Sequence, residues 1–162
     1  ELIENERDEK VLVELMGILT LPGMRKSLPY DLIEDYGSDA VEAIKTNPYL
    51  IIQYPGTGFL MADRLAIQVI KINPDSEFRM EAAIRHAMNE DLQGKGNTWL
   101  QLIDLQLAVM ELISTKGKFR AVVDRLVEDG GIVYRDGWVA LKSVDDDENL
   151  IVRKIKEGLK NA

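Results

Sequence analysis

The sequence predicts a mainly α protein whose C-terminal part is a helical, winged-helix-like subdomain with a small β-hairpin. Three observations predict it: apolar residues recur at helical spacing, Gly and Pro interrupt them at intervals of one short helix, and a single Asp-Gly pair joins two strand-like runs. Val11, Leu12, Leu15, Met16 and Leu19 form one face of a first helix, which Pro22 and Gly23 end. A second helix is expected from Pro29 to about Tyr36, stopped by Gly37. A third runs from Ser38 through Ile44, with Ser38 and Glu42 as a weak cap. Leu50, Ile51 and Ile52 fit a helical turn or a strand equally well. The run PGTGFLMADRLAIQVIKI then reads as a tight glycine turn entering a buried helix that continues to Asn73-Pro74, with Met61, Leu65, Ile67, Val69, Ile70 and Ile72 inside.

From Asp75 to about Leu92 an amphipathic helix is expected to turn Phe78, Met80, Ala83, Ile84, Ala87 and Met88 inward. Thr98-Trp99-Leu100 is a candidate extended piece. LIDLQLAVMELIS and KFRAVVDRLVEDG are two further helices, the second closed by Gly130-Gly131. Ile132–Arg135 and Trp138–Leu141, joined by Asp136-Gly137, give the clearest hairpin signal in the chain. Helices followed by a two-stranded ribbon suggest a winged helix. Trp99 and Trp138 read as core anchors rather than base-stacking platforms.

The chain has 162 residues, 46% of them hydrophobic, enough to bury a core. No stretch approaches the roughly 18 apolar residues of a membrane span, the first ten residues are too charged for a secretory signal, and the absence of cysteine removes disulfides and thiolate metal sites. A cytoplasmic location is expected. The start at Glu1 and the charged end IVRKIKEGLKNA suggest a piece of a larger protein.

A net charge of -8 opposes generic polyanion binding, which depends on Lys and Arg displacing counterions. The acidity is concentrated: residues 1–47 hold eleven acids against five bases, whereas residues 98–142 hold six of each. Residues 48–74 carry Arg64 and Lys71 against Asp63 alone, so this segment meets phosphate without a strong local penalty. Gly56 and Gly58 allow close backbone approach. The helix that starts there offers free N–H groups and a positive dipole end, so the backbone at Pro55, Gly56, Thr57, Gly58 and Phe59 is a candidate phosphate site. The plain alternative is a tight turn between packed helices.

The stretch NPYLIIQYPGTGFLMADRLA carries Asn47, Pro48, Tyr49, Gly56, Gly58, Phe59, Ala62, Asp63 and Ala66 in a pattern that resembles the second helix-hairpin-helix of the long RecD-like DNA helicases, relatives of the exodeoxyribonuclease V alpha subunit. Tyr36-Gly37 and Ala40 fall where that family places the preceding helix. Thr57 departs from the Ile or Val usual at the hairpin centre. The upstream LMGILTLPGMRKSLPYDLIEDYG lacks a clean G-x-G and reads as a degenerate first copy. Gly96-Asn97-Thr98 stands where the family has Gly-His-Thr. The resemblance extends over roughly residues 10–142 and implies a tandem helix-hairpin-helix region over 1–74 and the winged-helix-like subdomain over 75–144; residues 145–162, with an acidic start, read as a C-terminal linker helix.

It also implies a non-catalytic accessory domain that contacts DNA phosphate without sequence specificity, with DNA and the parent's motor domains as partners and no membrane. No Walker A pattern occurs, so no cofactor is expected in this chain; ATP and magnesium belong to the parent motor. Beyond the hairpin, Arg64, Lys71, Lys118, Arg120 and Arg135 are candidate DNA contacts, with Lys116 and Arg125 on the same elements and Asp124, Glu128, Asp129 and Asp136 opposing them. His86, with Glu90 at i+4, reads as a surface or partly packed histidine, and the acidic run Asp145–Glu148 as a solvated linker without EF-hand spacing. The alternative function is a protein-interaction or regulatory scaffold that positions the motor without binding DNA.

Overall fold

The computed structural model describes residues 6–95, 99–115 and 117–141, and the chain divides into two compact units, Glu1–Arg79 and Met80–Ala162. The linker helix expected over 145–162, the acidic run at 145–148, Lys116 and Gly96-Asn97-Thr98 lie outside the described residues.

In the first unit, α1 (Glu6–Ile18) and α2 (Leu28–Tyr36) are followed by a 3-10 turn (Gly37–Asp39), α3 (Ala40–Thr46), a 3-10 helix (Pro48–Gln53), α4 (Phe59–Arg64) and a π-helical segment (Leu65–Ile70) that continues α4. Pro29 sits in the first turn of α2, where its missing N–H costs nothing, and Gly37 closes the helix by donating its N–H to the Ile33 carbonyl. Ser38 lies within the 3-10 turn and α3 begins at Ala40 with no side-chain cap, so the expected Ser38 cap does not form. Leu50, Ile51 and Ile52 are helical. Asn47 Oδ1 accepts the Tyr49 N–H at 3.1 Å and Pro48 fills the first helical position, which starts a helix ahead of the apolar run. Leu15, Leu28, Leu32, Ile44, Ile51 and Leu65 form the fully buried centre of this unit.

The helix from Phe59 stops at Ile70, short of Asn73-Pro74. Lys71 adopts a left-handed conformation (φ 62°, ψ 52°), and the Ala66 carbonyl accepts the N–H groups of both Lys71 and Ile72. The widened last turn rotates the apolar run off the core, so Ile67, Val69, Ile70 and Ile72 are half-buried.

α5 (Glu77–Lys95) begins at the end of the first unit and contributes Met80, Ala83, Ile84 and Met88 to the core of the second. Ser76 Oγ accepts the Phe78 N–H at 3.2 Å and so starts the helix; Phe78 itself is exposed, contrary to the inward placement expected from periodicity, because it stands in the first turn. The second unit adds β1 (Leu100–Gln101), α6 (Leu102–Ile113), α7 (Phe119–Glu128), β2 (Ile132–Arg135) and β3 (Trp138–Leu141). Leu105, Val109, Val122, Leu126 and Ile132 fill its interior. Gly130 and Gly131 close α7 by donating to the Val127 and Leu126 carbonyls, a Schellman ending with Gly130 at φ 86°.

The hairpin forms as expected, with Asp136 and Gly137 both at positive φ (50° and 85°), the geometry that lets a two-residue turn follow strand twist. It is part of a three-stranded antiparallel sheet in the order β1-β3-β2 rather than a free ribbon, with Leu100 opposite Val139 and Arg135 opposite Trp138. The Trp138 side chain is exposed, so it is not the core anchor expected; Val139, Ala140 and Leu141 are the buried residues of β3.

Candidate nucleic-acid interface

Tyr54-Pro55-Gly56-Thr57 is a type II turn. Pro55 presets the first corner, Gly56 takes the second at φ 84°, and the Thr57 N–H donates to the Tyr54 carbonyl at 3.3 Å. Gly58 is extended (φ −110°, ψ −175°) and precedes α4 without a side-chain cap; the first helical bond runs from the Ala62 N–H to the Gly58 carbonyl at 3.1 Å. The N–H groups of the first helical turn therefore point out of the helix end beside the glycines. Pro55, Gly56 and Gly58 are exposed, whereas Thr57 and Phe59 are buried, so the side chains of the last two are not presented to a ligand, and the Thr57 N–H is already used within the turn.

Thr57 is 7% exposed and stands between the helices, in the place expected to take Ile or Val. Among the described residues its hydroxyl has no protein hydrogen-bond partner. Thr57→Val keeps the shape and removes a poorly solvated hydroxyl, so we expect it to stabilise the first unit by about 0.5–1 kcal/mol, read as a rise of a few degrees in thermal midpoint.

The turn is held from behind by a polar network that links residues far apart in sequence. Phe59 stacks on Tyr49 with ring centroids 5.9 Å apart and planes at 14°. The Tyr49 hydroxyl donates to Asp63 Oδ1 at 2.6 Å, and Arg79 donates Nε to the same oxygen at 2.9 Å and Nη2 to Oδ2 at 3.1 Å. Arg79 Nη1 also donates to the Pro74 carbonyl at 3.2 Å, tying the loop after the π-helical segment to the same carboxylate. One residue before the turn's first corner, the Tyr54 hydroxyl donates to Asp35 Oδ2 at 2.5 Å, and Gln53 Nε2 donates to the Tyr36 hydroxyl at 3.0 Å, joining the 3-10 helix to α2. The role of Arg79 is invisible to local spacing; the signal for it is Asp63, a carboxylate in an apolar helix that needs a cationic partner.

Burial, then the Asp63 carboxylate, raises the Tyr49 phenol well above its ordinary range; burial and Asp35 do the same for Tyr54. The Arg79 guanidinium is raised chiefly by its hydrogen bonds to Asp63. For both tyrosines the folded value lies above the unfolded one near 10, so their contribution is complete below about pH 10 and is lost as pH rises through the folded values. An alkaline titration followed by phenolate absorbance and circular dichroism should show late-ionising phenol appearing together with loss of helix. Tyr49→Phe should remove part of that late signal.

The remaining candidates are spread out. Arg64 is exposed at the end of α4, and Lys71 is exposed beyond the π-helical segment, more than two helical turns along the chain from Phe59. One phosphate at the turn is therefore out of reach of Lys71. In the second unit Lys118 is exposed just ahead of α7, Arg120 pairs with Asp124 at 3.4 Å, and the Arg135 guanidinium lies 5.4 Å from the centre of the Trp99 ring. Arg125 is bound to Glu81 at 2.8 Å and to Asp129 at 3.7 Å. His86 Nε2 stands 3.9 Å from Glu90 Oε1, the i+4 pairing read from the helix. Among the described residues no group of three or more His, Cys, Asp or Glu side chains could hold a metal ion, and no helix is long and apolar enough to cross a membrane.

Residues 8–99 match the family described as the ATP-dependent RecD2 DNA helicase HHH domain. The chain belongs to this family. The match takes in the Pro55–Phe59 turn of the RecD2 HHH domain, the Tyr49–Asp63–Arg79 network and α5, and ends at Trp99; β1, α6, α7, β2 and β3 lie beyond it. Within the HHH domain, the Asn-Pro-Tyr and Gly-Phe-x-x-Ala-Asp elements that first suggested the resemblance are the residues that cap, stack and hydrogen-bond the second turn into place. Comparison with curated protein sequences returns no match.

Proposed function

We propose that the chain is a non-catalytic accessory domain of a cytoplasmic RecD2-type helicase that holds DNA by its backbone, without sequence preference, at the turn Pro55–Phe59. The observation that carries this reading is the turn itself. Its two glycines face solvent and its helix start has no side-chain cap, while a partly buried network fixes the backbone. Backbone amides at such a start can bind phosphate with few basic side chains, which reconciles DNA binding with a net charge of -8. Arg64 extends the contact along α4 and Lys71 meets a phosphate further along the strand. In the second unit, read as winged-helix-like, Lys118, Arg120 and Arg135 supply a further contact. ATP and magnesium act in the parent motor, which is the domain's other partner.

A scaffold role for the second unit has its own support: Ile103, Leu107 and Met110, at i, i+4 and i+7 on α6, are exposed and present an apolar ridge suited to protein packing. Anisotropy with labelled single-stranded, duplex and forked DNA at two salt concentrations separates the two roles. Backbone binding gives an affinity that falls with salt, with a log–log slope of about −0.7 to −0.9 per phosphate contacted. No binding at low salt would leave the scaffold reading alone.

A further inference from the structure

The first hairpin copy, degenerate by sequence, contains the same turn as the second. Leu21-Pro22-Gly23-Met24 places Gly23 at φ 92° and the Met24 N–H on the Leu21 carbonyl at 3.2 Å, matching Gly56 at φ 84° and the Thr57-to-Tyr54 bond at 3.3 Å. The copies diverge at the next residue. Where the second has Gly58 and enters its helix at once, the first has Arg25, then Lys26 and Ser27 before α2. The two turn tips are neighbours: a Cβ on Gly56 would lie 3.9 Å from the Arg25 Cδ.

We infer that Arg25 is a phosphate ligand of the second hairpin's site, held at Gly56 by an ion pair with Asp31. The inference rests on the DNA-binding reading above. Where the first copy lacks the second glycine, it offers a guanidinium in place of backbone amides. The aliphatic part of Arg25 lies beside Gly56, which brings its charge to the exposed glycine turn. Arg25 Nη2 donates to Asp31 Oδ2 in the first turn of α2, and both side chains remain about a third exposed, at 39% and 32%. Such an exposed pair contributes little to stability and leaves most of the guanidinium's five N–H donors available. The carboxylate positions the arginine and competes with phosphate for it, so Asp31 lowers the site's affinity.

The test is anisotropy on the full chain with duplex and single-stranded DNA, comparing Arg25→Gln and Asp31→Asn with charge-matched controls on α3, Lys45→Gln and Glu42→Gln, after circular dichroism shows that each is folded. Arg25→Gln should weaken binding threefold to tenfold and reduce the salt slope by about one contact; Asp31→Asn should tighten binding about threefold; each control should move affinity less. Arg25→Lys should retain the salt slope, with part of the affinity lost with the planar fork. If Arg25→Gln and Asp31→Asn behave like their controls while the unmodified chain binds DNA, the role of Arg25 is overturned and the second hairpin's stands. If the unmodified chain binds no DNA, both fall.

Discussion

Gly58→Asp is expected to weaken DNA binding at least tenfold while leaving the first unit as stable as before or slightly more so. The backbone at Gly58 (φ −110°, ψ −175°) is extended and open to any residue, and an added Cβ would meet no atom within 4 Å. Asp is among the preferred residues at a helix N-cap, and replacing Gly there changes stability by only a few tenths of a kcal/mol, in the favourable direction. The same carboxylate accepts the N–H of Leu60 or Met61 and adds a negative charge where phosphate is proposed to sit. The variant therefore separates folding from binding. Gly56 cannot serve this purpose, because at φ 84° any side chain is strained by about 1 kcal/mol or more. Anisotropy and a thermal melt on the same sample decide the matter: a folded Gly58→Asp chain that binds as well as the parent would remove the turn from the interface.

Asp63→Ala should strongly destabilise the first unit. Asp63 and Arg79 side chains are 17% and 13% exposed, and the pair is bidentate. Removing the carboxylate leaves the Arg79 guanidinium with only the Pro74 carbonyl among the acceptors described and the Tyr49 hydroxyl without its acceptor. Breaking one side of a fully buried pair costs about 3–5 kcal/mol, and this part-buried pair should cost about 2–3 kcal/mol. For a unit of this size that corresponds to a fall of roughly 8 °C or more in thermal midpoint. Replacing both partners, Asp63→Leu with Arg79→Met, should recover much of the loss, because no charge is then left buried. A double variant no more stable than Asp63→Ala would mean that geometry specific to the ion pair, rather than relief of an unpaired charge, sustains the turn.

Local features were legible because local chemistry specifies them. Asp136-Gly137 announces its turn through two residues that tolerate positive φ, and Gly130-Gly131 announces the end of α7. Pro55-Gly56 marks the second hairpin in the same way, and the Asn-Pro-Tyr and Gly-Phe-x-x-Ala-Asp residues suggested the family that the match over residues 8–99 shows. Periodicity alone misjudged Phe78 and the run Ile67–Ile72, because it reports which residues share a face and not whether that face meets a partner, and residue type alone misjudged Trp138.

What the sequence by itself determined is the succession of helices and turns, the position of the exposed glycines and the kind of chemistry available there, since each depends on a few adjacent residues. Only the tertiary structure decided the pairings across distance. It placed Arg79 on Asp63 sixteen residues away, Arg25 of the apparently degenerate copy beside Gly56, and β1 against β3. The physical reason is that such contacts are set by how whole helices pack, and no periodicity or spacing within one segment records which distant side chain will meet its charge.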